Sequence, residues 1–455
     1  MTNPVKPRRR LRLIVGSLLA GAALAALGVA LLLTFGREPP SIKGDLVGAG
    51  VQLPSPDRIL LPTVNFSEAQ PWPAGKQPIV PDGFRVTAYA TGLDHPRWLY
   101  VLPNGDVLVA ESNTAPRRDR SIAQAVRTWL QRNAGSVKDS ANRITLLRDG
   151  RKAGTAAQRF VFASNLNQPF GMLLLGRHFY VANTDSVWRF AYRDGDTRLE
   201  GPGEKILDLP AGGYNNHWTR NLIANRAGTK LYVTVGSGSN VGENGIDNEF
   251  HRADILEFNP DGSDLRVFAS GLRNPNGLAF APGTDTLWTV LNERDMLGND
   301  LVPDYLTSVK DGGFYGWPYS YWGKNIDDRM RPQRPDLVAT AIAPDYALGA
   351  HVAALGLTFY TGDAFPDHFH GGAFIGEHGS WNRRPFTGYK VVFVPFRDGQ
   401  PYGKPEDFVT GFMPADRERV AYGRLVGVAV DSTGALLIAD DVGDTIWRVT
   451  AERRP

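Results

Sequence analysis

The chain has no cysteine. That excludes disulfides, thiolate-bound metals and a cysteine nucleophile. It leaves the compartment open, because an exported protein can simply avoid thiols. Charge of either sign is also in short surplus: 50 Lys and Arg stand against 47 Asp and Glu, a formal +3. Lys6, Arg8, Arg9, Arg10 and Arg12 all fall at the N-terminus. The body is therefore close to neutral and lacks the electrostatic footprint of a nucleic-acid binder. Three motifs are missing as well: a dinucleotide-binding glycine fingerprint after a strand, a P-loop and a Gly-x-Ser-x-Gly elbow. Redox by NAD is disfavoured accordingly.

One long apolar run is present. Leu13 to Phe35 holds 23 residues without a charge, and roughly 20 suffice to span a bilayer as a helix. The cations before it should stay in the cytoplasm and the remainder be exported. A cleaved signal has a shorter apolar core, so the length favours an uncleaved single-pass anchor in the inner membrane. The many Ala and Gly residues keep the cleaved alternative open. The expected organisation is a basic tail and anchor at 1–36, a Pro-rich linker or lead-in at 37–80, and one large domain at 81–452.

That domain is rich in turn formers and aromatics, with 50 Gly, 32 Pro and 10% Phe, Trp and Tyr. Such a mixture suits many short strands. Six stretches share one plan: a turn, a short apolar segment, a turn with Gly, a second apolar segment. They begin at His95-Pro96-Arg97, Asn167-Gln168-Pro169, Arg220-Asn221-Leu222, Arg273-Asn274-Pro275, Leu355-Gly356-Leu357 and Arg424-Leu425-Val426. A lone hairpin cannot cover its own faces, and stacked hairpins can. The repeat therefore predicts an all-β, six-bladed propeller preceded by a transmembrane helix. A β-sandwich is the alternative. Long insertions are expected at 112–141 and 295–345, with a short surface helix over 121–134 from its apolar spacing.

In a propeller the starts of the inner strands converge on one end of the channel. The repeat starts carry many cations and amides: Asp94-His95-Pro96-Arg97, Asn167-Gln168, Asn215-Asn216-His217-Trp218-Thr219-Arg220-Asn221, Arg273-Asn274 and Arg424. This set suits an anionic, hydrogen-bonding ligand. His217 is the leading candidate for a base, since a neutral imidazole can take a hydroxyl proton; His95 is the next. His368, His370 and His378, with Glu377, fit no strong zinc spacing and read as a structured loop. Asn292-Glu293-Arg294-Asp295 and Asp440-Asp441-Val442-Gly443-Asp444 could be Ca²⁺ loops or plain turns.

Gly271-Leu272-Arg273-Asn274-Pro275-Asn276-Gly277, then Asn292-Glu293-Arg294-Asp295, then Gly312-Gly313-Phe314-Tyr315-Gly316-Trp317-Pro318 form a telling order. With Asn216-His217, Gly376-Glu377-His378-Gly379-Ser380-Trp381 and the run from Arg424, it resembles the glucose/sorbosone dehydrogenase family, closer to the sorbosone branch. These are soluble-type sugar dehydrogenases dependent on pyrroloquinoline quinone (PQQ). The resemblance covers roughly 80–450. It implies a six-bladed propeller, PQQ and Ca²⁺ as cofactors, and a sugar or sorbosone-like substrate oxidised by hydride transfer. His217 would be the base. Arg273 and Asn274 would hold the quinone oxygens, with Arg273 polarising the carbonyl that receives charge. Arg424 would pair with a cofactor carboxylate, Gln168 would stand near the substrate, and the backbone carbonyls of Arg294 and Asp295 would bind Ca²⁺. The chain departs from the family's glucose dehydrogenases in having Asn216 where they have Asp and Val426 where they have a second Arg. Arg383 is the candidate for their cofactor-contacting Lys. Two other function classes remain from the residues alone: a Ca²⁺-dependent lactonase using Asp94, Glu293 and Asp441, and a non-catalytic ligand-binding propeller.

Overall fold

Each of the six repeats begins a sheet of its own. The computed structural model describes residues 16–17, 20–26, 28, 46–57, 63–114, 122–135, 137–149, 154–417 and 419–452. Blade I pairs Pro96–Val101, Val107–Glu111, Arg143–Asp149 and Ala156–Ala163 in order. Blade II runs Met172–Leu175, His178–Ala182, Ser186–Ala191 and Glu204–Asp208. Blade III runs Leu222–Ala224, Leu231–Val235, Asp254–Phe258 and Arg266–Ser270. Blade IV uses Asn274–Phe280, Leu287–Asn292, Pro303–Ser308 and Tyr346–Ala350. Blade V uses Ala354–Phe359, Ala373–Glu377, Lys390–Val394 and Glu406–Val409. Blade VI takes Leu425–Val430, Leu436–Asp440 and Thr445–Ala451 from the C-terminal end, and its outer strand, Phe84–Thr91, from the start of the domain. That last pairing, in register from Phe84 against Ala451 to Thr91 against Thr445, closes the ring. The predicted six-bladed all-β propeller is the fold observed.

Burial follows position in the blade. Second strands such as Val107–Glu111, Leu231–Val235 and Leu436–Asp440 are buried at every residue, because a neighbouring blade covers each face. Outer strands such as Ala156–Ala163 and Glu204–Asp208 are largely exposed. Apolar clusters fill the gaps between neighbours. Phe374 and Phe393 of blade V meet Leu436 and Trp447 of blade VI, and Tyr180 of blade II meets Leu231 of blade III.

Around the axis the inner strands approach so closely that side chains have no room. A Cβ on Gly277 would lie 2.6 Å from Leu357 Cβ and 2.7 Å from Leu357 N. One on Gly427 would lie 2.8 Å from Arg97 O. This explains the glycines in the inner strands of blades IV, V and VI.

The expected insertions are present in blades I and IV. The first carries helix α1, Ile122–Asn133, where the apolar spacing places one. The second, between Ser308 and Tyr346, adds Gly313–Phe314 in parallel to blade III, a small hairpin of Ser320–Tyr321 with Asn325–Ile326, and helix α2, Pro335–Thr340. The described part of the lead-in is fastened to the propeller along its length. Gly48 bridges to Ala347, Glu68–Ala69 pair with Val420–Ala421, and Ile79 bridges to Thr410.

The chain divides into two units, Met1–Ile42 and Lys43–Pro455. Most of the expected span Leu13–Phe35, and all of the basic tail, lie outside the described residues. Those described within the span are helical. Among the described residues no helix is long and apolar enough to cross a membrane.

Replacing Gly277 by Ala should therefore cost about 1–3 kcal/mol, since the new methyl meets backbone that cannot step aside. A urea-unfolding midpoint equal to that of the unaltered protein would show that the inner strands do not touch there.

Candidate functional site

A cavity of about 650 Å³ opens where the repeat starts converge. His217, Arg273, Asn274 and Arg424 all line it, as do Arg97, Asn240, Asp295, His351 and His378. The lead-in and α1 contribute part of the wall through Thr63, Val64, Phe66, Leu130 and Gln131. Phe66 stacks on Trp381 at 5.5 Å.

His217 stands in the loop that leads into the inner strand of blade III. Arg220, fully buried, gathers that loop around its guanidinium by donating to the carbonyls of His217 at 2.7 Å, Thr219 at 2.9 Å and Pro210 at 2.8 Å. The imidazole Nδ1 lies 2.8 Å from the carbonyl of Ser237 and 3.0 Å from its hydroxyl. A carbonyl can only accept, so Nδ1 carries the proton and Nε2 keeps a lone pair. The Asn216 amide lies 3.3 Å from Nε2 and can donate to it. Burial first, and then the charge of Arg273, lower the imidazole pKa from 6.5 to about 3. The ring is thus neutral, and in the unliganded cavity it binds a proton only weakly. Gly236 lets the two candidates come together: a Cβ there would lie 2.6 Å from His217 Cβ and nearer still to Asn274 Oδ1.

Arg273 begins the inner segment of blade IV. Its Nε donates to Asn240 O at 3.2 Å; its two amino nitrogens donate to Glu293 O at 2.5 Å, Asn292 O at 3.3 Å, Asn240 Oδ1 at 2.9 Å and Asp295 Oδ2 at 3.1 Å. The side chain is thus a fixed positive charge on the cavity wall. Asp295 also accepts from Asn382 at 2.8 Å and faces His351 at 3.6 Å. Burial would raise this carboxyl, but Arg273 and His351 hold it well below the usual carboxylate range. The same contact raises His351 against the effect of its burial.

Across the lining from these residues in the blade order, blades I, V and VI supply a second polar group centred on Asp441. Its fully buried carboxylate receives Arg97, His378 Nε2 at 2.9 Å and His95 Nε2 at 3.3 Å. Burial opposes ionisation of Asp441, yet His378, His95 and Arg97 together keep its pKa far below the ordinary value. Arg97 also stands 5.4 Å from the Trp218 ring. Arg424 donates to the carbonyls of His378 at 2.9 Å and Gly379 at 2.6 Å. Three buried atoms of lining residues have no hydrogen-bond partner among the described residues: Asn274 Oδ1, Arg97 Nε and Asn382 Oδ1. The cavity thus joins a neutral imidazole, three guanidiniums and aromatic faces, with polar atoms left to meet a ligand.

Other candidates stand elsewhere. Arg383 does not line the cavity; it ties Asn299 O, Pro385 O and Asp300 together at 3.0–3.1 Å. Gln168 is turned away, donating to Asn113 O at 2.7 Å. His95 is buried against Asp441 behind the lining. His368 pairs with Glu406 and His370 with Phe365 O, so the three histidines of that stretch do not gather. Asp94 is held at the surface by Arg143. Asp440 caps the turn through Gly443 N and Arg424 N, which favours the plain-turn reading there. Among the described residues no group of three His, Asp or Glu side chains could hold a metal.

The Arg294–Asp295 loop does not fit the Ca²⁺ site that the resemblance implies. Arg294 is fully buried and spends its guanidinium on Glu293 and Asp327 at 3.1 Å and on Pro318 O and Ser320 O. The carbonyl of Asp295 accepts from Arg329 at 2.8 Å and Asn240 at 3.2 Å. Sequence reasoning missed Arg329 and Asn240, which are distant in the chain and belong to no repeat. The sequence read His378 as part of a structured loop and Asp441 as a Ca²⁺-loop, turn or lactonase residue; their meeting was not legible, because their partner Arg97 comes from another blade.

Residues 177–380 match the glucose/sorbosone dehydrogenase family model, and 335–452 match a TrAA12-like model. An uncharacterized protein of Borreliella burgdorferi is 28% identical over 307 residues, covering 65% of this chain and 78% of its own length. Aldose sugar dehydrogenase YliI of Escherichia coli is 31% identical over 120 residues, 25% of this chain and 31% of that protein. The PQQ-dependent pyranose dehydrogenase of Coprinopsis cinerea is 24% identical over 362 residues, 70% of this chain and 44% of that protein. The solved holo PQQ domain of the Coprinopsis enzyme superposes with a TM-score of 0.65 at 21% identity, covering 84% of this chain and 98% of the domain. At that identity the superposition shows the shared fold. The segment that holds His217, Arg273 and Asn274 is thus similar to the glucose/sorbosone dehydrogenase family.

Proposed function

We propose that the cavity oxidises a sugar, aldose- or sorbosone-like, with PQQ as the hydride acceptor and His217 as the base. The observation that carries this reading is the meeting of a neutral imidazole with Arg273, Asn274 and Arg424 in one cavity. The match of residues 177–380 to the glucose/sorbosone dehydrogenase model, and the likeness to PQQ-dependent pyranose dehydrogenase, support an oxidoreductase of the quinoprotein sugar dehydrogenase kind. The cavity volume suits a small cofactor with its substrate.

The protein's residues would divide the work as follows. Ser237 fixes the Nδ1–H tautomer, so His217 Nε2 can take the proton of a substrate hydroxyl. Arg273, with its donors already committed, would stabilise negative charge developing beside it by its field. Asn274 and the cationic pair of Arg97 and Arg424 would hold an anionic, oxygen-rich cofactor, and Trp218 offers a flat apolar face. PQQ, when bound, would supply the two-electron acceptor.

The apolar run Leu13–Phe35 after its basic tail supports a further part of the proposal, an exported catalytic domain held by an N-terminal membrane anchor. The full chain, expressed in a bacterial host, should then stay with membranes through an alkaline carbonate wash. Release of intact chain into the wash would refute the anchor.

Purified protein supplied with PQQ should reduce a dye in the presence of aldoses, and His217→Ala should lower kcat by about 10²–10⁴-fold. Full activity in that variant would remove His217 from the mechanism. In the apoprotein the His217 ring should titrate far below 6.5, near the value of about 3. PQQ should raise that titration, because an anion beside Arg273 offsets the positive charge that disfavours the imidazolium. An NMR titration of the ring that does not move on adding PQQ would contradict the shared site.

A further inference from the structure

We propose that Arg329 is the resident cation of the Arg294–Asp295 loop, where the resemblance implies a calcium ion, so that this chain needs no divalent ion there. Arg329 comes from the blade IV insertion. Its guanidinium is aimed by Asp327, with Nε 2.8 Å from Oδ1 and an amino nitrogen 2.7 Å from Oδ2. The other amino nitrogen donates to Asp295 O at 2.8 Å and reaches Met296 O at 3.5 Å. Backbone carbonyls turned toward one point are what a hard cation seeks, and here a guanidinium meets them.

The carboxylates around the loop are also committed. Asp295 gives Oδ2 to Arg273 and Oδ1 to Asn382. Asp327 binds both Arg294 and Arg329 and is 1% exposed. Glu293 pairs with Arg294 at 3.1 Å. Three guanidiniums, those of Arg273, Arg294 and Arg329, thus face three carboxylates, and the loop is balanced without a metal. A divalent ion would need roughly six to eight oxygens and would have to displace Arg329 into a site left with surplus positive charge. Asp295 lines the cavity, so on the quinone reading above the charge of Arg329 supports the cofactor from behind this loop.

The test uses the full-length chain. For the apoprotein, the thermal midpoint should be the same in calcium chloride and in EDTA, and equilibrium dialysis should find no calcium retained. PQQ affinity, read by fluorescence quenching, should be the same with and without EDTA. Arg329→Gln should gain a calcium-dependent thermal shift, and without calcium its PQQ affinity should fall by about tenfold or more. Arg329→Lys, which keeps a cation, should remain calcium-independent. One calcium retained by the unaltered apoprotein together with a thermal shift, or an Arg329→Gln protein as indifferent to calcium as its parent, would overturn the inference. Failure of PQQ to bind at all would instead count against the quinone reading, and the metal arm on the apoprotein would still decide this one.

Discussion

The constraint on which the rest depends is the crowding of inner strands at the propeller axis. Gly277 and Gly427 sit where any side chain would meet the backbone or side chains of the next blade. Groups that need space or a ligand are displaced to the residues just before these strands. Five of the six such positions, all but that of blade II, meet at one mouth, which is why residues as distant as Arg97 and Arg424 share a wall. Ring closure by Phe84–Thr91 against Thr445–Ala451 holds this arrangement together, since it joins blade VI to the front of the domain.

Gathering so many guanidiniums in a buried place creates an electrostatic problem that the fold answers locally. Burial of an unpaired charge costs several kcal/mol, and each cation has a nearby counterpart or a set of carbonyls. Arg273 has Asp295 and three backbone oxygens, Arg97 has Asp441, and Arg220 has the carbonyls of its own loop. The neutral state of His217 belongs to the same economy. Burial and the charge of Arg273 outweigh that of Asp295 and disfavour a protonated imidazole there, which keeps His217 neutral. The site is thus arranged as fixed positive charge around a neutral base.

Local sequence carried the strand-turn-strand repeat, the helix at 121–134 and the polar character of the repeat starts. Each rests on neighbours within a few residues, and turn chemistry and apolar spacing express such relations directly. The polar starts also pointed to His217, Arg273, Asn274 and Arg424, which share the cavity. Arg383 and Gln168 were chosen for residue type near a motif, and type does not say which way a side chain turns. Both are held by backbone carbonyls away from the cavity.

The chain's own sequence determined the class of the fold and the chemical character of its mouth, because repeats and residue types are properties of single stretches. Tertiary structure alone decided which charges meet. Asp441 joins His95, Arg97 and His378 across three blades, and Arg329 reaches the Asp295 carbonyl from an insertion 34 residues on. A Coulomb contact depends on distance in space, and a toroid brings together residues whose separation in the chain carries no trace of it.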